Sequence, residues 1–352
     1  MNHTAYKQLA ATLNAMPNGF PSTDDGRELK LLAKLFTPEE AELAAQLTPA
    51  LETVEEIAAR TGGDVTERRD QLKGMSRRGL IEAGKIDGAL GFKSMPFVVG
   101  IYEMQVGTMD AELARLFEDY FEQFGQMLAV KPQVHRVIPV NETVRNPMEV
   151  RPFESAAEIV NAMQSWGVQE CICRKQKALI GEGCEHPIDI CMVMNPRPNA
   201  FEKHPVIHAL SHDEAMGTLR RAAEAGLVHS VSNSVEGTYY ICNCCTCSCG
   251  ILRSMAELGI ANVVASSAFV NQTDEAICNG CEDCIKSCQF SALSMDDLLA
   301  KVDTVRCVGC GVCVLACSTG ALGLVRRPEE EVKLVPQTYA DWGAQRIAAR
   351  GL

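Results

Sequence analysis

The first 170 residues contain no cysteine, and the chain as a whole lacks several features that would have named a chemistry at once. No Gly-x-Gly-x-x-Gly occurs, and no phosphate-binding loop or flavin or nicotinamide fingerprint is present, which argues against an autonomous dehydrogenase. Positive charge is in deficit: 33 Lys/Arg stand against 45 Asp/Glu, for a net charge of -12. Broad electrostatic attachment to nucleic acid or to an anionic membrane surface is therefore disfavoured, and proteins are the expected partners. No window approaches the roughly 18 consecutive apolar residues of a membrane span, and Met1 to Phe20 has polar residues spread through it, with no long apolar core of an export signal. The expectation is a cytoplasmic chain without a membrane span.

What is present lies in the second half. Seventeen cysteines follow from Cys171 onward. In a chain expected to stay in a reducing compartment, metal ligation explains them better than disulfides do. The chain thus divides in two near Arg151, and 352 residues with 47% apolar content suffice for several packed domains.

The first half reads as helical with a short β element. Thr37-Pro38-Glu39-Glu40 supplies a helix cap, a first-turn proline and acids at the positive end of the dipole. Further helices fit Thr53 to Arg60 and Asp64 to Arg78. Leu80-Ile81-Glu82, a glycine-containing loop and an extended run from Phe92 to Tyr102 complete the outline of a winged helix. In a DNA reader Arg68, Arg69, Lys73, Arg77 and Arg78 would meet phosphates. Asp64, Glu67 and Asp70 share that helix, however, and residues 38–95 hold 8 Lys/Arg against 11 Asp/Glu. A protein-docking or structural module is the better reading. Glu112 to Gln126 is an amphipathic helix with Leu113, Leu116, Phe117, Tyr120, Phe121 and Phe124 on its core stripe.

In the second half a helix is expected over Ser155 to Trp166, followed by a strand-like Val168-Gln169-Glu170. Ser211 with Glu214 forms a capping-box pattern that opens a helix to about Ala225. Leu227 to Val231 and Thr238 to Ile241 read as paired strands leading into Cys242, and Gln337 to Arg350 as a closing helix. His204, His208 and His212 recur every four residues, but Pro205 interrupts them and they read as structural or surface histidines. The fold class expected is α+β and multidomain: a helical winged-helix-like region over 1–150, a cysteine-rich α+β domain over 151–270, a dicluster domain over 271–330 and a helical tail over 331–352.

Cys278, Cys281, Cys284 and Cys288 form C-x2-C-x2-C-x3-C, and Cys307, Cys310, Cys313 and Cys317 repeat it 29 residues later. Three thiolates on one tight loop reach three irons of a cubane, and the fourth is carried off by the following helix toward the other cluster. The ligand sets expected are therefore Cys278, Cys281, Cys284 and Cys317 for one [4Fe-4S] cluster, and Cys307, Cys310, Cys313 and Cys288 for the other. Gly280, Gly309 and Gly311 suit the tight loops. Zinc sites pair C-x2-C across a longer loop, so this doubled 2, 2, 3 spacing does not suit them. The C-x3-C-x2-C of radical S-adenosylmethionine enzymes is absent.

CNGCEDCIKSCQF and CVGCGVCVLACSTGAL resemble the two halves of bacterial dicluster ferredoxins over about fifty residues. That resemblance implies a ferredoxin-like fold holding two [4Fe-4S] clusters. The family usually has proline after each fourth cysteine; this chain has Gln289 and Ser318 instead.

Nine cysteines remain: Cys171, Cys173, Cys184 and Cys191, then Cys242, Cys244, Cys245, Cys247 and Cys249. Adjacent Cys244 and Cys245 point in different directions, so CNCCTCSCG can bridge two sites or one large one. Two further [4Fe-4S] clusters, one cluster plus a reactive dithiol, a larger noncubane cluster, and a zinc site tying the hairpin to the Cys171 loop all remain open. ECICR, GCEHPIDIC and CNCCTCSC together resemble a group of anaerobe-associated ferredoxin-like proteins with a winged-helix-like N-terminal region. The pattern of that group ends CNCCxCCC, and Ser248 stands here where one thiol is missing. The resemblance implies electron transfer, with one or two further [4Fe-4S] clusters in the middle domain. The expected role is a protein or subunit passing low-potential electrons between redox protein partners, in anaerobic metabolism and as part of a larger complex. A reductase using the Cys171 to Cys249 field, and a redox-responsive winged-helix regulator, are the alternatives.

Overall fold

The computed structural model describes residues 3–260 and 263–352. The chain divides into two compact units: residues 1–127 with 175–182 and 346–352, and residues 128–174 with 183–345. This division is coarser than the domain boundaries at 150, 270 and 330, and residues 128–150 belong to the second unit.

In the first unit α1 (His3–Ala15) and α2 (Arg27–Leu35) precede the elements read from sequence. Then come α3 (Pro38–Gln46), β1 (Glu52–Thr53), α4 (Val54–Thr61), α5 (Val65–Arg77), β2 (Glu82–Ile86) and β3 (Ala89–Lys93). Thr37 and Thr53 each close a capping box, with Glu40 and Glu56, so two orphan donors are satisfied at each helix start. The three strands form one antiparallel sheet in the order β1-β3-β2. The extended run expected over Phe92 to Tyr102 ends as a strand at Lys93. Val98 and Val99 keep extended dihedrals beyond it but belong to no sheet, because the Phe97 and Tyr102 rings turn into the core.

Helix α6 (Ala111–Gln126) buries the expected stripe, with Leu116 only half-buried. Phe117 stacks on Tyr102 at 3.8 Å between ring centroids, and Phe20 packs on Phe97 and Tyr120 at 4.8 and 4.9 Å. Two of the four cations of α5, and Arg78 just beyond it, have partners within the unit. Arg69 pairs with Glu55 at 2.8 Å, Arg78 with Glu40, and Arg68 with Gln71 and the Gly62 carbonyl. Lys73 and Arg77 of the same helix are half-buried and exposed respectively.

The second unit is built on a seven-stranded sheet. Its members are β4 (His135–Val137), β5 (Ser165–Glu170), β6 (Asp189–Asn195), β7 (His208–Leu210), β8 (Val228–Ser232), β9 (Tyr240–Cys244) and β10 (Val264–Ala265). Their order is β10-β4-β8-β9-β6-β5-β7, antiparallel throughout except for the β10-β4 edge. The helices are α7 (Ala156–Asn161), the start of α8 (Ile172–Leu179, whose residues from 175 belong to the first unit), α9 (His212–Glu224) and α10 (Arg253–Glu257). The helix expected over Ser155 to Trp166 stops at Asn161, and Trp166 stands in β5, where its indole N–H reaches back to the Val160 carbonyl at 2.9 Å. Ser211 caps α9 with Glu214 as its capping-box partner.

Ile138, Ile159, Val160, Met192, Met194, Leu219 and Ile241 pack α7 and α9 against one face of the sheet. A strand turns successive side chains to opposite faces. With Met192 and Ile241 facing that core, Cys191 and Cys242 face the other way.

The dicluster region consists of β11 (Phe269–Thr273), α11 (Asp283–Ser287), β12 (Leu293–Asp296), β13 (Leu299–Val302), α12 (Val312–Leu315) and β14 (Leu322–Arg326). β11 pairs with β14 and β12 with β13, both antiparallel. The closing helix α13 runs from Tyr339 to Ala349. Among the described residues no helix is long and apolar enough to cross a membrane.

Candidate metal centres

The two repeated motifs fold into two pockets, and each pocket draws thiols from both repeats. Cys278, Cys281 and Cys284 meet Cys317 around a small cavity that also contacts Met295, Ala300 and Leu322. Cys307, Cys310 and Cys313 meet Cys288 around a second small cavity, lined as well by Asn271, Phe290, Leu293 and Val302. Cys288 directly follows α11, and Cys317 lies two residues beyond α12.

Backbone geometry leaves these thiols room. Gly309 has φ +68° and a Cβ there would fall 2.1 Å from the Phe269 carbonyl oxygen; Gly311 has φ +84° and a Cβ would fall 2.2 Å from Thr143 Oγ1. Side chains at either position would push the loop outward. Four soft donors around an apolar cavity, with glycine where the loop is tightest, fit a cubane.

The two pockets differ in their surroundings. Cys281 of the first is exposed, whereas Cys307 and Cys313 of the second are buried and Cys288 and Cys310 half-buried. Asn271 donates its side-chain N–H to Cys313 Sγ at 3.2 Å, and the Ala292 backbone N–H approaches Cys288 Sγ at 3.4 Å. Burial pushes the Cys310 thiol up to about 12 and raises Cys313 as well. Metal loading there must displace protons. In the first pocket burial opposes ionisation of Cys317, but the Thr319 hydroxyl at 3.5 Å and nearby backbone N–H groups outweigh it and lower the thiol's pKa.

The nine remaining thiols separate into two groups. Cys171 is in hydrogen-bond contact with Cys173 and Cys191, Cys173 with Cys249, and Cys244 with both Cys249 and Cys242. Cys191 also lies in the electrostatic field of Cys242 and Cys244, so the six thiols gather in one group, a loose ring of contacts left open between Cys191 and Cys242. Strand alternation places Cys242 and Cys244 on one face of β9. Cys191 comes from neighbouring β6, and Cys171 and Cys173 from the junction of β5 and α8. Hydrogen bonds from Cys173 and Cys191 hold Cys171 well below the ordinary thiol range, and the same bonds, with burial, push those two donors well above it.

Cys184, Cys245 and Cys247 form the second group, and His186 joins them. The four donor atoms all lie within 4.8 Å of one another. Cys184 Sγ is 4.0 Å from Cys245 Sγ, and Cys247 Sγ is 3.6 Å from His186 Nδ1. Burial opposes ionisation of Cys184, but the Ser248 hydroxyl and His186 outweigh it and bring the thiol down to about 6; burial pushes Cys247 up to about 12. Buried Arg174 spans both groups: its guanidinium reaches Cys245 Sγ at 3.5 Å and the carbonyls of Asn243 and Pro187, and it faces Cys171 and Cys244.

His186 was not among the residues singled out from sequence, although Cys184-x-His186 and Cys245-x-Cys247 are matching two-ligand hooks with one residue between. His204 turns its Nδ1 to the Val206 and Ile207 backbone N–H groups, and His212 meets Asn161. Both act within local structure.

Gln289 supplies a connection that the sequence did not announce. From its place after Cys288 it accepts the Thr246 backbone N–H at 2.8 Å and donates to the Gly226 carbonyl. Thr246 stands between Cys245 and Cys247, so the second pocket is tied to the cysteine turn of the middle region.

The family model of the 4Fe-4S dicluster domain matches residues 277–322. Searches of curated proteins and of solved structures find no match to the chain. A 4Fe-4S dicluster domain supports iron-sulfur electron transfer in general, and ferredoxin-type domains usually pass electrons to redox partners.

Proposed function

We propose that this protein relays low-potential electrons between a donor and an oxidoreductase partner, through two [4Fe-4S] clusters in the dicluster domain and a further iron-sulfur cluster held by the six-thiol ring. The observation that carries the reading is the pair of four-thiol pockets, each completed by the other repeat's last cysteine. A cubane accepts or releases one electron with little rearrangement, because its charge is spread over irons and sulfurs. The protein's part is to hold the thiolates, exclude water and set the potential through hydrogen bonds to sulfur and through exposure.

This reading includes a direction. Cys281 is exposed, with exposed Ile277 and Leu298 near it, which suits exchange with a docking partner at the first pocket. The second pocket, with two of its four thiols buried and none exposed, is joined through Gln289 to the turn between Cys245 and Cys247, which suits transfer inward to the ring. The three-helix and three-stranded region of the first unit serves as a docking module in this reading.

Protein purified without oxygen is expected to be brown, to bleach with dithionite, and to carry about eight irons in the dicluster domain and about four or more in the ring. A colourless protein lacking iron and labile sulfide overturns the reading. A second reading, in which the middle region itself performs a reduction, is favoured by the ring alone, because six thiols converge where a cubane takes four. It predicts a ring cluster whose spectrum changes on adding a reducible ligand, while the two ferredoxin clusters stay unchanged.

A further inference from the structure

We propose that Cys184, His186, Cys245 and Cys247 hold one zinc ion, mononuclear and closed, separate from every iron-sulfur cluster. Size decides against a cluster at this point. Four donor atoms within 4.8 Å of one another match a single tetrahedral ion, whose ligands at about 2.3 Å for sulfur and about 2.0–2.1 Å for nitrogen stand roughly 3.5–3.8 Å apart. The observed separations of 4.0 Å for Cys184 to Cys245 and 3.6 Å for Cys247 to His186 need little adjustment. A cubane binds its four thiolates to four different irons at the corners of a larger body, and these side chains leave no room for one.

The donor set is Cys3His, one of the combinations that structural zinc uses. All four positions come from the protein, so the site is one for holding chain together and not for turning over a substrate. The surroundings match an anionic centre. Arg174 directs its guanidinium to Cys245 Sγ at 3.5 Å, and Ser248 Oγ lies 3.3 Å from Cys184 Sγ, where its hydroxyl can donate to the bound thiolate. Serine at position 248 thereby gains a role as a support for a ligand.

The ion pins the loop carrying Cys184 and His186 to the turn carrying Cys245 and Cys247. Cys244 and Cys249, on either side of that turn, belong to the six-thiol ring. The zinc site therefore fixes the span between two ring ligands and, through Thr246 and Gln289, the link to the second ferredoxin pocket.

The test is metal analysis and zinc-edge X-ray absorption on the full chain purified without oxygen. The expected result is about one zinc per chain with three sulfur ligands at about 2.3 Å and one nitrogen at about 2.0–2.1 Å. His186→Ala should lower zinc retention against a chelator by at least about tenfold, with the dicluster iron kept, and His186→Cys should restore it. Zinc well below one per chain, a shell of oxygen and nitrogen only, or loss of dicluster iron in step with zinc in His186→Ala would overturn the proposal. Zinc found in a protein that holds no iron would leave this site standing and defeat the electron-transfer reading instead.

Discussion

The two cysteine-rich regions of this chain solve one problem in opposite ways. The dicluster domain repeats a 29-residue unit, so a single local spacing generates both pockets and exchanges one ligand between them. The middle region has no repeat: its nine thiols come from two strands, a helix start, a loop and a turn, and they separate into a six-membered ring and a three-cysteine, one-histidine tetrad. A short motif suffices when the ligands of a site are near in sequence. When they are distant, the sheet has to carry them.

The largest effects should come from the ligands. Cys317→Ala lies in the second repeat but should cost the cluster of the first pocket, and Cys288→Ala the reverse, each removing about four of about eight dicluster irons. Mössbauer and reduced-state EPR spectra of the two variants distinguish the clusters. If each variant instead loses the cluster of its own repeat, the exchange of ligands is wrong. Cys244→Ala should remove ring iron while the dicluster iron persists, which sharpens the contrast between a self-contained module and a scaffold-dependent site.

A smaller effect tests the difference between the two pockets. An N–H directed at a ligating sulfur stabilises the added electron, so removing it lowers the potential. Asn271→Leu deletes the donor to Cys313 and should shift the second cluster by about 40 mV to more negative values, taking a one-electron tenfold change as about 59 mV. The first cluster should not move, and a shift shared by both in protein-film voltammetry would show that the variant acts through general loosening.

The smallest effect concerns the tie between the two regions. Gln289→Ala leaves the Thr246 N–H and the Gly226 carbonyl without this partner and should destabilise the chain by about 1–3 kcal/mol. Iron content should be unchanged in denaturant titrations followed by circular dichroism and metal release. Loss of a cluster in this variant would mean that Gln289 shapes the Cys288 turn itself, the place where proline stands in the proteins this region resembles.

Much of the molecule was legible before folding. The caps at Thr37 and Ser211 marked helix starts because a side-chain oxygen three residues ahead of an N–H satisfies it locally. The hairpin was legible too, though its second strand starts at Tyr240 and runs through Cys242 to Cys244 instead of ending before it. Helix α7 was drawn too long, since Trp166 has enough apolar surface for either element and its strand partners, Met194 and Leu210, lie far along the chain. Phe92 to Tyr102 was drawn too straight for a similar reason. Val98 and Val99 are extended, but among the described residues no strand pairs with them, and Tyr102 is already helical.

Residue order alone determined which thiols share a ferredoxin pocket, because the helical step from Cys284 to Cys288, and from Cys313 to Cys317, is set by local geometry. It also determined that Cys244 and Cys245 diverge, since neighbouring side chains on a strand or turn cannot face one way. Only the tertiary structure decided which distant thiols each of them meets. Cys244 joins Cys171, Cys191 and Cys249 through sheet register and the β5 to α8 junction. Cys245 joins Cys184 and His186, about sixty residues earlier, through a loop that carries no periodic signal. Short-range spacing encodes angles and steps of one backbone segment; the closeness of separate segments is the outcome of packing, and no local pattern records it.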